Sequence, residues 1–280
     1  LFSLPISAYI NYEVNILSIL VNMLFVPWIS IIVFPLAIIT FIMPIFNPIL
    51  SFTLSITDFL NNLFVNFCFF INIPKTSIIF IALLFLFLIL LKSNKKYLIA
   101  IISILIIIKI IPKLDNNHYV YFLDVGQGDN IVLITPHQRE VIMLDTGGRI
   151  TYEVDEWKRS NKTYNVSDNT IKFLKSIGVT NIDYLILSHG DNDHAGEAIN
   201  ILKSIPTANV ILNNDAFNDL EESIISKVNA LNINYYQNIK SINLSTTKLY
   251  FLNDYLYDNE NDNSLVTYTN FGNINFLFMG

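Results

Sequence analysis

The chain has 280 residues, 52% of them hydrophobic and only 14% charged, with a net charge of −6. That length holds two domains of ordinary size, and a charge content well below the roughly 25% usual in soluble domains excludes a molecule wholly in water. The single cysteine, Cys68, excludes an internal disulfide and a cysteine-rich zinc site; in its apolar stretch it reads as a buried, inert thiol. The charge is divided unevenly. Before Leu114 there are six lysines against Glu13 and Asp58, about +4; from Leu114 onward eleven Lys and Arg face twenty-one Asp and Glu, −10. An apolar, slightly basic region (residues 1–113) therefore precedes an acidic, polar one (residues 114–280).

In chain order, residues 14–45 are apolar but interrupted by Pro27, Pro35 and Pro44, which predicts kinked or broken helices of the kind tolerated at membrane depth. Asn47-Pro48 marks a break. In residues 49–70, Asp58, Asn61, Asn62 and Asn66 recur at helical spacing among Leu, Phe and Ile. That pattern suits an amphipathic helix in the membrane interface or a helix lining a water-filled path. Residues 77–91 carry no charge, and residues 97–111 carry only Lys109. Each run makes a helix of about 22 Å, short of a hydrocarbon core of roughly 30 Å, with flanking lysines able to reach toward the headgroups. Apolar on every side, they read as a transmembrane hairpin rather than core helices. The lysines concentrated at 92–96 favour a cytoplasmic turn, which puts the C-terminal region on the extracellular side.

After Pro112 the pattern changes. Residues 118–125, 130–135 and 140–145 read as short strands, two of them ending at the glycine-bearing segments 126–129 and 146–148. Residues 151–169 form a polar loop, 170–177 a helix, 182–187 a buried strand and 195–204 a helix. Residues 209–212 follow as a strand and 219–231 as a helix, with strands at 248–252, 265–269 and 273–279. A strand meander followed by alternating helices and strands predicts an α+β layered sandwich.

The chemistry concentrates at His189-Gly-Asp-Asn-Asp-His194, leaving the apolar strand end Tyr184–Leu187. Two carboxylates so close are costly together unless a cation neutralises them, and imidazole with carboxylate suits zinc, manganese or iron rather than calcium. His189, Asp191 and Asp193 alternate along the chain while His194 turns away, so one loop can feed two adjacent metals of the kind that clamp a phosphate or carbonyl. A plain polar surface loop is the competing reading. His118 and His137 stand outside any such group.

These six residues match the HxHxDH-type signature of the metallo-β-lactamase superfamily, with Asp191 in place of the second histidine, and Leu144-Asp-Thr-Gly-Gly148 is similar to its strand-end aspartate block. Phe122-Leu-Asp-Val-Gly-Gln-Gly-Asp129, together with Leu187-Ser-His-Gly-Asp-Asn-Asp-His-Ala-Gly196 and Asp258-Asn-Glu-Asn-Asp-Asn-Ser-Leu265, resembles the C-terminal domain of the ComEC family of DNA-internalisation proteins. Residues 17–36 resemble the end of that family's competence membrane domain. The resemblance implies transmembrane helices followed by a metallo-β-lactamase-like αββα sandwich. It implies one or two divalent transition metal ions, zinc or manganese, with His189 and Asp191 serving one and Asp193 and His194 the other. Catalysis would fall to Asp193 and His189, Asp193 partly as the base that orients the attacking water. Asp145 would support a ligand histidine or a loop, Asp124 and Asp129 would shape their Gly-x-Gly turn, and Ser264 would approach the site. Glu197 departs from the family, where a second glycine is usual, and reads as a mild change at a helix start. Because the chain starts at Leu1 and stops at Gly280, just before the family's bridging aspartate and last histidine, it reads as a fragment with an incomplete site.

The implied function is uptake of single-stranded DNA through a multi-pass membrane channel, with a metal-dependent nuclease-type domain degrading the strand left outside. The implied partners are single-stranded DNA, the lipid bilayer and other DNA-uptake proteins, with a homo-oligomer also allowed. Against it stand a metallo-hydrolase of a thioester, lactam or lactone, and a catalytically silent docking domain on a membrane transporter. The acidic charge of residues 114–280 argues against broad electrostatic DNA binding.

Overall fold

A computed structural model describes residues 4–15, 17–66, 70–148, 165–214, 217–253 and 261–280. Cys68, most of the predicted 151–169 loop and the start of the 258–265 block lie outside the described residues. The chain divides into two compact units, Leu1–Ile102 and Ser103–Gly280.

The first unit is helical: α1 (Leu4–Asn11), α2 (Ser18–Trp28), α3 (Phe34–Ile42), α4 (Asn47–Asn66) and α5 (Ile78–Leu90), with α6 (Tyr97–Ile110) beginning at its end. Two short strands, β1 (Glu13–Asn15) and β2 (Phe70–Asn72), pair antiparallel. The long apolar stretch stays helical through Pro27 and Pro35 but breaks before Pro44, where Met43 is extended. A π-helical turn, Ile29–Val33, joins α2 to α3, giving one 25-residue apolar helix, Ser18–Ile42. Pro35 has no N–H to complete the regular ladder, and the wider turn just before it keeps the helix continuous. At about 38 Å this helix is long and apolar enough to cross a membrane, as is Tyr97–Leu114; Ile78–Leu90 is shorter. Only 6% and 11% of the apolar windows of the two longer helices are buried, and Phe41 is 90% exposed. Apolar surface facing outward on that scale is not that of a core helix in a water-soluble domain. The indole N–H of Trp28 donates to the Thr57 hydroxyl at 3.0 Å, tying α2 to α4.

The second unit is built on a six-stranded sheet in the order β3 (Tyr119–Phe122), β4 (Ile131–Ile134), β5 (Val141–Leu144), β6 (Ile182–Ile186), β7 (Thr207–Ile211) and β8 (Asn234–Tyr236). β3 to β5 are antiparallel; β5 to β8 run parallel. A second, antiparallel sheet has the order β12 (Ile274–Met279), β11 (Val266–Phe271), β10 (Lys248–Phe251), β9 (Ser241–Asn243). The two-residue side-chain period sorts each strand between layers. On β4, Val132 and Ile134 join Met143, Leu185 and Val210 beneath α7 (Val166–Ser176), α9 (Ala198–Ser204) and α10 (Asp219–Ala230). Ile131 and Leu133 face the other way, with Ile142, Ile186 and Ile211, onto Leu249, Phe251 and Phe271 of the second sheet. β4 and β5 are buried on both faces, which explains their continuous apolar runs. The layers are helix, sheet, sheet; a helical layer outside the second sheet is not among the described elements.

Several predicted boundaries move. α7 starts at Val166 rather than residue 170, because a buried carboxylate described below anchors its first turn. The predicted helix 195–204 is two helices, α8 (Asn192–Ala195) and α9, separated at Gly196-Glu197. β8 and β9 have no counterpart in the predicted elements: Asn234-Tyr-Tyr236 is exposed throughout and Ser241-Ile-Asn243 has one buried residue, so neither shows a run of apolar residues, and neighbouring strands supply their register.

Candidate metal centre

β5 and β6 run parallel, so their C-terminal ends open on one edge of the sheet, the usual place for a site in such sheets. Asp145 leaves β5 there and Ser188-His189 follows β6. Asp145 has φ 54°, a left-handed conformation that Asp tolerates better than most side chains but that still carries strain. It is 3% exposed and its carboxylate is saturated with donors. Oδ1 accepts the Ser188 N–H at 2.7 Å; Oδ2 accepts the Ser188 hydroxyl at 2.8 Å and stands 3.0 Å from His194 Nδ1. The Ser188 Oγ is also 2.9 Å from His189 Nδ1.

The loop 189–196 is gripped from several sides. Thr146 donates its N–H (2.7 Å) and its hydroxyl (3.0 Å) to the His194 carbonyl. Asn218, the N-cap of α10, donates to the Gly190 carbonyl at 3.0 Å. The 126–129 turn closes over the loop, where Gly128 has φ +74° and a Cβ there would lie 1.7 Å from the Asp193 carbonyl oxygen. Only glycine fits both the conformation and the approach.

The predicted residues fall into two neighbouring groups. His189, 4% exposed, points Nε2 at Asp191 Oδ2, 3.5 Å away. Two ligand atoms each about 2.1 Å from a tetrahedral metal stand about 3.4 Å apart, so this pair fits one ion without rearrangement. His194 lies beside Asp145 and Asp129, whose ligand atoms all fall within 4.8 Å of one another, and its ring is 4.2 Å from that of His189. The hydrogen bond to Asp145 raises the His194 pKa above the ordinary imidazole value against the opposing effect of burial, with the charges of Asp145, Asp193 and Asp129 adding to the rise. Asp193 is half-buried in the first turn of α8. Two imidazoles and several carboxylates converging at one sheet edge are a donor set suited to a divalent transition metal.

The remaining residues are placed as follows. Asp124 Oδ1 accepts the Gly126 N–H at 3.1 Å, and the Asp129 carbonyl accepts the Gly147 N–H at 2.8 Å; the Asp129 side chain belongs with His194 rather than with the turn alone. Ser264 is buried against the segment, since a Cβ on Gly280 would touch both Ser188 and Ser264. His118 contacts Thr246 and His137 the Lys113 carbonyl, both away from the donor set.

Three contributors escaped the sequence reading. Ser188 links Asp145 to His189. Asn130, 1% exposed, donates to the Thr146 carbonyl and the Thr170 hydroxyl. Glu197 is no mild change at a helix start: 8% exposed, it accepts the Val166 N–H (3.2 Å), the Ser167 hydroxyl (2.6 Å) and the Asn200 amide (2.8 Å). A carboxylate there satisfies free donors of the first α7 turn and complements the helix dipole. Ser167 in the first turn of a helix was the available signal; its partner, 30 residues away, was not.

Comparison with known proteins agrees with this organisation. Residues 1–95 match the family described as Competence protein, and residues 125–225 match the Metallo-beta-lactamase superfamily. The chain is 28% identical over 220 residues to ComE operon protein 3 of Bacillus subtilis (strain 168), covering 72% of this chain and 28% of that relative's length. Among solved structures, similarity extends to a chemotaxis sensor, ODP, in its peroxy diiron form (16% identity, TM-score 0.34, 55% of this chain and 56% of that one) and to the flavodiiron protein from Giardia intestinalis (12%, 0.32, 52% and 31%). A third is the CmlA β-hydroxylase E377D mutant (14%, 0.34, 57% and 30%). The chain thus joins a competence-protein segment to a metallo-β-lactamase superfamily domain, and is similar over most of its length to a competence-operon protein of which it spans about a quarter.

Proposed function

We propose that this chain serves the import of single-stranded DNA, with residues 1–113 embedded in the membrane and residues 114–280 forming a metal-dependent phosphodiesterase domain that acts on the strand left outside. The observation that carries this reading is the donor set of His189, His194, Asp191, Asp193, Asp145 and Asp129 at one sheet edge, in the same chain as the competence segment. A divalent ion held there supplies the local positive charge that a phosphodiester needs and acidifies a water. That answers the difficulty posed by an acidic domain, since the attraction for phosphate is confined to the site. His189 and Asp191 would hold one ion, and His194, Asp193 and Asp129 would hold a second. Asp145 orients the imidazoles from behind. The helices Ser18–Ile42, Ile78–Leu90 and Tyr97–Leu114 make the protein multi-pass, and the lysines of the 92–96 turn favour the cytoplasmic side for that turn, leaving the hydrolase domain outside. Other DNA-uptake proteins, or further copies of the chain, complete the path.

The test is hydrolysis by the full chain in detergent micelles with manganese or zinc, offered single-stranded DNA, a thioester and a lactone. The expected result is metal-dependent cleavage of DNA, lost in His189→Ala together with bound metal. Cleavage of the thioester or lactone but not of DNA refutes the nuclease reading, and tight metal binding with no hydrolysis of any of them refutes catalysis by this chain.

A further inference from the structure

Ser188 lies between two functional side chains and has only one proton to give. Its hydroxyl is 2.8 Å from Asp145 Oδ2 and 2.9 Å from His189 Nδ1. Its main chain is fixed: its N–H donates to Asp145 Oδ1 and its carbonyl accepts the Leu265 N–H, both within 2.8 Å. Its side chain is also packed so closely that a Cβ on Gly280 would come within 2.5 Å of it. A carboxylate only accepts, so the Ser188 proton belongs on the Asp145 side. The contact with His189 Nδ1 then needs the ring to donate. With the proton on Nε2 instead, either the oxygen–oxygen or the oxygen–nitrogen contact would lack a hydrogen, at residues that are only 5% (Ser188) and 4% (His189) exposed.

We propose that Ser188 is a positioning residue that relays the Asp145 carboxylate to His189, so that one buried carboxylate sets the tautomer of both imidazoles. Asp145 reaches His194 Nδ1 directly at 3.0 Å and His189 Nδ1 through the serine. In the neutral form both rings carry Nδ1–H, which leaves both Nε2 lone pairs for a metal. A ligating histidine usually has its own oxygen partner behind it; here one aspartate, 43 residues before Ser188 in the chain, serves two. The Nε2 of His189 faces Asp191 Oδ2 at 3.5 Å, an acceptor opposite an acceptor, which a cation between them reconciles.

The consequence for metal rests on the reading given under Proposed function; the tautomer does not. The test uses the full chain in micelles, labelled with 15N-histidine, and reads the ring-nitrogen shifts of metal-free, neutral His189 together with zinc affinity by chelator competition. The wild type is expected to show Nδ1–H at both histidines. Ser188→Ala should shift His189 toward Nε2–H, leave His194 unchanged and weaken one zinc about tenfold, the low end of the range for losing such a partner. Ser188→Thr, which keeps the hydroxyl, should restore both. Neutral wild-type His189 protonated on Nε2, or Ser188→Ala leaving both the His189 shifts and zinc affinity unchanged, overturns the relay. If Ser188→Ala does not fold by circular dichroism, the wild-type shifts decide alone. If the wild type binds no zinc, the metal reading fails and the same shifts still decide the relay.

Discussion

Glu197→Ala removes a carboxylate that anchors a helix from outside it. The carboxylate accepts the Val166 N–H and the Ser167 hydroxyl at the start of α7, and both residues are nearly inaccessible, 7% and 1% exposed. A buried donor stripped of its partner costs about 1–3 kcal/mol, and the lost charge at the helix N-terminus adds about 0.3–1 kcal/mol. Water entering the space left by the side chain, and another acceptor for the Ser167 hydroxyl, offset part of that. A net loss of about 2–3 kcal/mol remains, equivalent to roughly 30- to 150-fold in an opening equilibrium. The loss is local, so hydrogen exchange on the full chain is the assay. Amides of α7 should lose protection by that factor, while β4 and β5, buried on both faces, exchange nearly as before. Glu197→Gln keeps the size and one acceptor, and should lose about half as much. Wild-type exchange in α7 of the alanine variant would show that the carboxylate does not hold the helix.

Gly128→Ala combines a left-handed φ with a Cβ driven into the Asp193 carbonyl; the turn must lift off the metal loop, weakening zinc at least tenfold while the six-stranded core stays folded, as chelator competition and circular dichroism would report. Leu185, fully buried between β6 and the helices, should cost about 2–5 kcal/mol as alanine, visible as lost exchange protection across the second unit. The raised His194 pKa gives a pH dependence. The folded, metal-free chain binds that proton more tightly than the unfolded chain, so its contribution to stability is complete below the ordinary imidazole pKa and lost as pH rises through the raised value. A metal taking Nε2 must displace the proton, so zinc affinity should improve by up to about tenfold per pH unit across the same window. Asp145→Asn should flatten both profiles, and an unchanged melting temperature over that window in the wild type would refute the assignment.

How much of this was readable in advance follows from distance along the chain. The loop His189 to His194 was legible because a strand exit and four metal-donor side chains lie within six residues, although the expected alternation stops at Asp191, where the helix Asn192–Ala195 begins. The apolar helices were legible because composition alone decides whether a helix can sit in lipid. The paired faces of β4 were readable only as a continuous apolar run; the second sheet showed that Ile131 and Leu133 serve one core and Val132 and Ile134 another. β8 and β9 were invisible, since their side chains are mostly exposed and only pairing with β7 and β10 makes them strands.

The sequence by itself determined which residues are candidate metal donors and which segments shun water, because both are properties of side chains and their neighbours. Tertiary structure alone decided how those residues are held. Asp145 meets Ser188 and His194 across more than 40 residues, Glu197 meets Val166 and Ser167 across about 30, and Asp129 comes to lie beside His194. These contacts depend on the parallel register of β5 with β6, on a helix packed onto the sheet, or on the 126–129 turn closing over the loop, and no local pattern of residue types encodes a partner that folding has yet to deliver.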